Sequence, residues 1–276
     1  MPWHATLQLD YRLDAQRTVL RHEHNGPLRI FKSLYPEGDA ICHNVIIHPP
    51  GGLVGGDVLD VQVQVDTGAH GLISTPGATR FYASDGLPTT QQVTLTLAPG
   101  ARLEWLPLEA IAYPGCQARN TLTATLAEGA ELLAWDVTAL GLPAAGEPFS
   151  EGRFSQRLEI PGLWLEQAHI DATDTRLLES PLGLGGQRCL GTLLLASGTP
   201  FTRDRREHLL ETVRAALAAA PADVQLAATC PNPQMLVVRA VAPVVEPLMA
   251  CLQQAWGALR PAAWGVGATP PRIWRV

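Results

Sequence analysis

Lysine is nearly absent from this sequence, since Lys32 is the only one among 276 residues, and the net charge is -6. Binding to a nucleic-acid backbone needs lysine and arginine clustered on one face, so this composition argues against a nucleic-acid partner. A P-loop and Schiff-base chemistry would both have to use Lys32, and no GK[ST] motif surrounds it. Both classes of function are therefore excluded.

Long apolar runs are also missing. The first residues, MPWHATLQLDYRLD, place Asp10, Arg12 and Asp14 where a signal peptide needs an unbroken apolar core. No apolar run in the chain reaches the length of a membrane span. We expect a cytoplasmic protein with no membrane partner.

Cysteine is scarce, and its spacing excludes two uses. The five cysteines are odd in number and include no CxxC pair, which argues against a disulfide framework and against a structural zinc site. We expect all of them to be reduced.

Alternation of apolar and polar residues is the strongest pattern that the chain contains. Apolar side chains stand at every second position in LQLDYRL from residue 7, in VLDVQVQVD from residue 58 and in VTLTL at 93–97. A strand with one buried face has this period, because successive side chains point to opposite faces. The sequence therefore predicts a mainly β protein.

These strands belong to an internal repeat. VQVQVDTGAHGLIST, VTLTLAPGARLEWLP and LTATLAEGAELLAWD share one plan, in which an alternating strand leads through a turn to a second apolar strand, and RLEIPGLWLEQ is a weaker copy. Such a unit cannot bury its apolar face alone, so neighbouring copies should stack. We predict a stacked β-hairpin or β-helical, solenoid-like body over residues 1–187, with loosely spaced ordinary hairpins as the alternative. The turn glycines are Gly68, Gly100, Gly129 and Gly162.

After about residue 188 the pattern changes to the period of helices. Asp204 followed by Glu207 resembles a capping box before an apolar stripe at helical spacing. A second helical stripe stops at Pro261, and two strand candidates lie between the stripes. We predict two α-helices in a small C-terminal α/β lobe, residues 188–276, packed on the β body as part of one domain.

The segment CHNVIIHPPGGLVGGD contains residue types that bind nickel, copper or zinc, namely Cys42, His43, His48 and Asp57. In a strand, Cys42 and His48 point to one face but lie about 20 Å apart, while His43 points to the other. A compact site would need a sharp bend or a second chain. A buried Cys-His pair more often serves packing and hydrogen bonding, so these two histidines and the cysteine are the weaker metal candidates.

The order of motifs along the chain resembles one protein family. GPLRIFKSLYPEGDAICHNVIIHPPGGLVGGD is followed by PGATRFY at 76–82, by LEWLP, by AWD with LGLPAAGEPFSEG, and by the terminal PRIW. Together they are similar to the urease accessory proteins of the UreD family, also called UreH, over nearly the whole chain. The resemblance implies a noncatalytic scaffold with a helical stack of β-strands and two helices. It also implies that the scaffold binds apo-urease and, with UreF and the GTPase UreG, delivers nickel to the urease active site.

A scaffold that passes nickel on must hold the ion weakly enough to release it, which favours scattered carboxylates over a closed His/Cys cage. Glu104 and Glu166 each stand four residues after their repeat glycine, and Asp136 stands further along its own strand. With Asp57, we predict that these acids line an interior path, with nickel in transit and no tightly bound cofactor. The alternative that each acid faces solvent stays open, because Asp and Glu are mostly exposed.

A β-solenoid carbohydrate-active enzyme is the alternative function. Asp57, Asp60 or Asp136 would serve as its general acid and base. Sugar-binding clefts usually present exposed aromatic platforms, whereas aromatic residues make up only 6% of this chain and its repeat tryptophans stand in apolar strands. A carboxylate pair about 5 to 10 Å apart in an open aromatic groove would favour this reading.

The C-terminal tail, RPAAWGVGATPPRIWRV, is rich in proline and tryptophan. Its composition is typical of interface anchors and equally of docked termini. Both interpretations remain open at the level of sequence.

Overall fold

The computed structural model of the protein describes residues 2–275 and is mainly β. The strands of the first half are β1 (His4–Asp14), β2 (Arg17–Asn25), β3 (Arg29–Ile30), β4 (Ile41–Ile47), β5 (Gly52–Leu53), β6 (Val58–Val65), β7 (His70–Ser74), β8 (Thr79–Phe81), β9 (Thr89–Leu97), β10 (Arg102–Leu106), β11 (Ala110–Ala112), β12 (Cys116–Leu126) and β13 (Glu131–Leu142). The later strands are β14 (Glu147–Pro148), β15 (Gly152–Ile160), β16 (Trp164–Asp171), β17 (Cys189–Ser197), β18 (Gln225–Asn232) and β19 (Met235–Ala242). The helices are α1 (Thr175–Glu179), α2 (Arg203–Ala216) and α3 (Val245–Trp264).

The strands form two sheets that face each other. The first sheet has the order β16-β15-β12-β9-β6-β1-β2. The second sheet has the order β18-β19-β17-β13-β10-β7-β4-β3, with short strands attached beside it. Most neighbours between β4 and β13 pair in parallel, as stacked turns of a coil require.

Each of the first three repeat units is one turn of a coil rather than a hairpin. β6 lies in the first sheet, while β7, which follows it after the turn at Gly68, lies in the second. β6 pairs in parallel with β9, and β7 pairs in parallel with β10. Only the fourth copy is a true hairpin, because β15 and β16 pair antiparallel around Gly162. The predicted β-helical, solenoid-like body is confirmed, with coils as its usual unit.

The inner faces of the two sheets enclose the main core. On β6 the alternating residues Leu59, Val61 and Val63 are buried, whereas Gln62 and Gln64 between them are exposed. The parallel register places Val61 beside Val93 of the next coil, so apolar residues form rows from one coil to the next. Burial of these rows is the main stabilising contribution to the stack.

The C-terminal residues add helices to the outer face of the second sheet. α2 and α3 bury Leu209, Val213, Leu252 and Leu259 in a second apolar core against this sheet. The two predicted helices are confirmed, and the short helix α1 is additional. β17 and β19 continue the second sheet past residue 187, and β17 pairs with β13 of the body. The two-part division at 187 and 188 stays a prediction.

The start of α2 and the end of α3 differ from the sequence prediction. The capping-box prediction is wrong, because Thr202 is the N-cap of α2 and its hydroxyl accepts a hydrogen bond from the Arg205 N–H at 3.3 Å. Glu207 instead pairs with Arg203 at 2.8 Å. α3 continues through Pro261 to Trp264; Pro261 has no backbone N–H to donate to the preceding turn, whereas the burial of Trp264 is favourable.

The tryptophan-rich tail docks on the chain itself. Trp274 lies with its ring centroid 5.1 Å from those of both Trp135 and Trp256, and its indole N–H donates to Ser74 Oγ at 2.9 Å. No helix between residues 2 and 275 combines the length and the apolar character that crossing a membrane requires. All five cysteines are free thiols.

Candidate functional site

The four predicted acids lie in different environments. Asp136 and Glu166 lie at the space between the sheets, Glu104 lies beneath α3, and Asp57 lies in the turn before β6. Strand alternation explains the separation, because Glu104 is in register with Leu133, whose side chain faces the helices. Asp136 stands three residues beyond Leu133 and faces the first sheet. Glu104 therefore does not share the inner face with Asp136.

The Asp136 carboxylate is enclosed and only partly satisfied. Its Oδ2 accepts a hydrogen bond from Asn120 Nδ2 at 3.2 Å, whereas its Oδ1 is buried without a hydrogen-bond partner. Burial, reinforced by the negative charge of Glu166, raises the pKa of Asp136 to about 7. A buried carboxylate is costly unless it is paired, protonated or bound to a metal. Asp136 therefore presents an open oxygen ligand whose charge changes near neutral pH.

A string of polar side chains crosses the apolar core to reach Asp136. Thr79 Oγ1 donates to Gln91 Oε1 at 3.5 Å, and Gln91 Nε2 donates to Asn120 Oδ1 at 3.2 Å. Gln91 and Asn120 are in register on β9 and β12, and Gln156 occupies the next place in the same row on β15. The string therefore lines one side of the space between the sheets with amide groups.

Two cavities lie along this string, and a third lies beyond Asp136 at Glu166. A cavity of about 220 Å³ extends between the sheets from His48 to Gln91. A constriction of about 20 Å³ is also lined by Gln91 and reaches Asp136. A third cavity, of about 420 Å³, opens at Glu166. Since one water molecule needs roughly 10–15 Å³ of such space, the constriction holds about one water at a time.

Glu166 lies on β16, which is the edge strand of the first sheet. Its Oε1 accepts a hydrogen bond from Thr192 Oγ1 at 3.0 Å, and its Oε2 lies 3.0 Å from a guanidinium nitrogen of Arg239. Thr192 is in register with Asp136 on one side and with Arg239 on the other. One row of the second sheet therefore leads from the constriction to the outer cavity.

Glu104 is held by several strong contacts beneath α3. It is fully buried, and its carboxylate bonds to His70 Nε2 at 2.8 Å, Trp256 Nε1 at 2.6 Å and Arg260 Nε at 3.0 Å. Burial alone would raise the pKa of Glu104, but these partners outweigh burial and lower it. The carboxylate is already occupied, so in this structure Glu104 joins α3 to the second sheet.

The same arginine holds a second acid. Arg260 donates to Glu37 at 2.7 and 3.0 Å, and Glu37 also contacts His43 Nε2 at 2.8 Å. Burial opposes ionisation of Glu37, but the hydrogen bonds from His43 and Arg260 prevail and lower its pKa to about 2. The result is a buried charge network that joins strands β4, β7 and β10 to α3.

Asp57 closes the glycine-rich turn. Its two carboxylate oxygens accept hydrogen bonds from the backbone N–H groups of Trp3 at 2.8 Å and Val54 at 3.0 Å. Within the turn, a Cβ at Gly52 would lie 2.3 Å from the Tyr82 ring, so only glycine fits there. The HPPGGLVGGD motif therefore shapes the backbone around the buried carboxylate of Asp57.

Cys42, His43 and His48 do not converge. Cys42 faces the inner core and donates to Asn44 Oδ1 at 3.3 Å, whereas His43 faces the helices and contacts Glu37. His48 lies beyond the end of β4 and lines the first cavity, where burial lowers its pKa against the opposing charge of Asp57. Between residues 2 and 275, no group of three or more His, Cys, Asp or Glu side chains is arranged to hold a metal ion.

Three polar residues near Asp136 and Glu166 were not among those predicted from the sequence. Gln91 and Asn120 stand at positions of alternating strands where the pattern places core-facing side chains, and Arg239 interrupts the apolar strand MLVVRAVA. A polar side chain at a position where the alternation predicts an apolar, core-facing residue is the signal that would have identified them.

The acids of the alternative enzyme reading are dispersed. Asp57 is in the turn, Asp60 lies on the outer face of the first sheet, and Asp136 is in the interior. Trp105 and Trp135 are buried in the two cores rather than exposed as a platform for sugars. This arrangement does not provide a carboxylate pair in an open aromatic groove.

These elements define a β-solenoid protein in which a string of polar side chains crosses the apolar core. The sequence profile of the family described as UreD urease accessory protein matches residues 4–275. Proteins named urease accessory protein UreD are 58% identical in Albidiferax ferrireducens and in Polaromonas sp., each over 99% of both chains. One from Leptothrix cholodnii is 50% identical over 100% of both chains. The chain belongs to the UreD family.

Membership of this family confirms two predictions. The resemblance based on the motifs is correct over nearly the full length of the chain. The relatives are named as accessory proteins rather than as enzymes, so the protein is not an enzyme.

Proposed function

We propose that the protein is a cytoplasmic urease-maturation scaffold that binds apo-urease and, together with UreF and the GTPase UreG, supports nickel delivery to the urease active site. Membership of the UreD family supports the accessory role. The polar string that ends at Asp136 supports the handling of a cation within the β coil. Nickel is cargo in this proposal, and no cofactor is tightly bound.

The observation that carries the proposal is the half-satisfied carboxylate of Asp136 in an otherwise apolar core. Its free Oδ1 offers a ligand, while the Asn120 amide donates its N–H to the other carboxylate oxygen and accepts from Gln91 through its carbonyl oxygen. Oxygen and water ligands bind nickel less tightly than a set of imidazoles and thiolates would. An ion at this position could therefore be held briefly and then released.

The small volume of the constriction determines how many water molecules the ion keeps. This volume of about 20 Å³ has no room for a full shell of water. The ion must therefore exchange some of its waters for the carboxylate oxygen of Asp136, as ions exchange water for protein oxygens in narrow filters. The wider cavities at His48 and Glu166 would allow it to regain water on either side.

Each predicted site residue has a part in this proposal. Asp136 and Glu166 contact the ion, and His48 lies at the opposite end of the path. Asp57 shapes the wall through the turn, while Glu104, Cys42 and His43 maintain the packing around it.

The test is co-expression of the chain with the urease subunits, UreF and UreG in the presence of nickel. Asp136→Asn keeps the shape of the side chain but removes its charge, so we expect unchanged copurification with urease and a several-fold loss of urease activity and nickel content. Asp66→Asn is the matched control, because Asp66 forms an exposed ion pair with Arg12 on the surface. Full activation by Asp136→Asn would refute the path, and a chain that never copurifies with urease would refute the scaffold.

A further inference from the structure

The outer end of the proposed path carries a positive charge that the path itself does not require. Arg239 is the third member of the row formed by Asp136, Thr192 and Arg239 on β13, β17 and β19. Its guanidinium lies 3.0 Å from the Oε2 atom of Glu166 in the outer cavity. A cation reaching Glu166 from outside would meet this arginine at the same carboxylate.

The two partners of this ion pair differ in how firmly they are held. The Glu166 side chain is only 17% exposed and is fixed by the hydroxyl of Thr192, whereas the Arg239 side chain is 56% exposed. The Arg239 contact lies at ion-pair distance but lacks the alignment of a hydrogen bond, since Glu166 Oε2 has no hydrogen-bond partner. The arginine is therefore the loosely held member of the pair.

Arg239 also has a second contact close to Glu166. Its guanidinium carbon lies 5.7 Å from the centre of the Trp164 ring, within the range of a cation–π interaction. Trp164 is two residues from Glu166 on β16, so the guanidinium contacts the ring face and the carboxylate at the same time, and the ring contact does not depend on the ion pair. The side chain thus has a favourable place to rest when it leaves Glu166.

We propose that Arg239 is a cationic gate at the Glu166 end of the path, which competes with divalent metal ions for the Glu166 carboxylate. This inference rests on the proposed function, because it assigns a specificity residue to the same path. With Arg239 on Glu166, monovalent cations find the carboxylate already paired. A nickel ion that arrives at the row from Asp136 displaces the arginine, since a dication attracts the carboxylate more strongly than a guanidinium does.

The first test is equilibrium binding of Ni²⁺ to the purified full-length chain at pH 7.5. Arg239→Gln removes the competing charge, so we expect roughly tenfold tighter Ni²⁺ binding, equivalent to about one unit charge contact at partial exposure. Arg239→Lys keeps the charge and should restore the parent affinity. Arg153→Gln is the matched control, since it removes the same charge from the exposed pair with Asp171 beside the same sheet edge.

Two further variants separate the gate from the path. If the gate acts through Glu166, Glu166→Gln weakens Ni²⁺ binding, and adding Arg239→Gln to it produces no further change. Parent affinity in Arg239→Gln, combined with weakened binding in Glu166→Gln, would refute the gate while leaving the path intact. Parent affinity in Glu166→Gln and in Asp136→Asn would refute the path and the gate together.

Discussion

Arg260 and Glu104 form an ion pair at 3.0 Å in which neither side chain is exposed to solvent. The pair connects α3 to β10, and the remaining nitrogens of Arg260 bind Glu37 ahead of β4. One cation thus compensates two buried carboxylates. Because a buried charge without a partner is costly, the packing of α3 against the second sheet depends strongly on this side chain.

Arg260→Met should strongly destabilise the protein. The change leaves Glu104 and Glu37 buried without their shared cation, and the expected loss in free energy of unfolding is about 3–5 kcal/mol. Chemical denaturation monitored by tryptophan fluorescence would measure it. Arg203→Met, which removes an arginine from an exposed pair with Glu207, should cost no more than about 1 kcal/mol. Equal losses in both variants would contradict the central role of Arg260.

Glu37 makes a contribution to stability that acid removes. Its pKa in the folded protein is about 2, below the ordinary value of 4.5, so the ionised form is favoured by folding. The contribution is fully present above about pH 4.5 and is lost as the pH falls towards 2, and it amounts to about 3 kcal/mol at most.

Glu37→Gln should therefore flatten the acid limb of the stability curve. We expect the difference in free energy of unfolding between the parent and the variant to shrink as the pH is lowered from 5 to 2. Glu211→Gln on the exposed side of α2 serves as a control of equal chemistry. A difference that stays constant across this range would contradict the lowered pKa.

Asp136 should affect stability in the opposite direction. Its pKa rises from 3.8 to about 7 in the folded protein, so the folded chain retains a proton that the unfolded chain has lost between these values. Stability contributed by the protonated acid is present below about pH 4 and declines as the pH rises to 7, by at most about 4 kcal/mol. Asp136→Asn removes the ionisation, so the variant should become more stable than the parent at pH 8. Denaturation curves at pH 5 and pH 8 would show a reversal or a marked change in their relative stability.

The fold could be predicted from the sequence because its signals are local. Alternation fixed the strands, and the turn glycines, such as Gly68 with φ of +73°, divided the chain into units. The sequence pattern did not distinguish a hairpin from a coil. An alternating strand has the same pattern whether it pairs with the next strand in the chain or with a strand of the next coil. Pairing partners are set by packing across the stack.

The site was only partly predictable for a related reason. Asp136 and Glu104 look alike in the sequence, yet the strand register places them on opposite faces of the second sheet. Arg260 lies 223 residues from Glu37, and nothing local in α3 marks it as buried. Contacts of this range arise from the docking of α3 and appear only in three dimensions.

Nickel binding by the full-length chain should depend on pH through Asp136. The ion must displace the proton of this carboxylate, so Ni²⁺ affinity should rise about tenfold per pH unit between pH 5.5 and 7 and level off above that range. Equilibrium dialysis across this range measures the slope. Asp136→Asn should bind more weakly and lose the slope, whereas the surface variant Asp66→Asn should follow the parent. A slope that survives unchanged in Asp136→Asn would show that another group binds the ion.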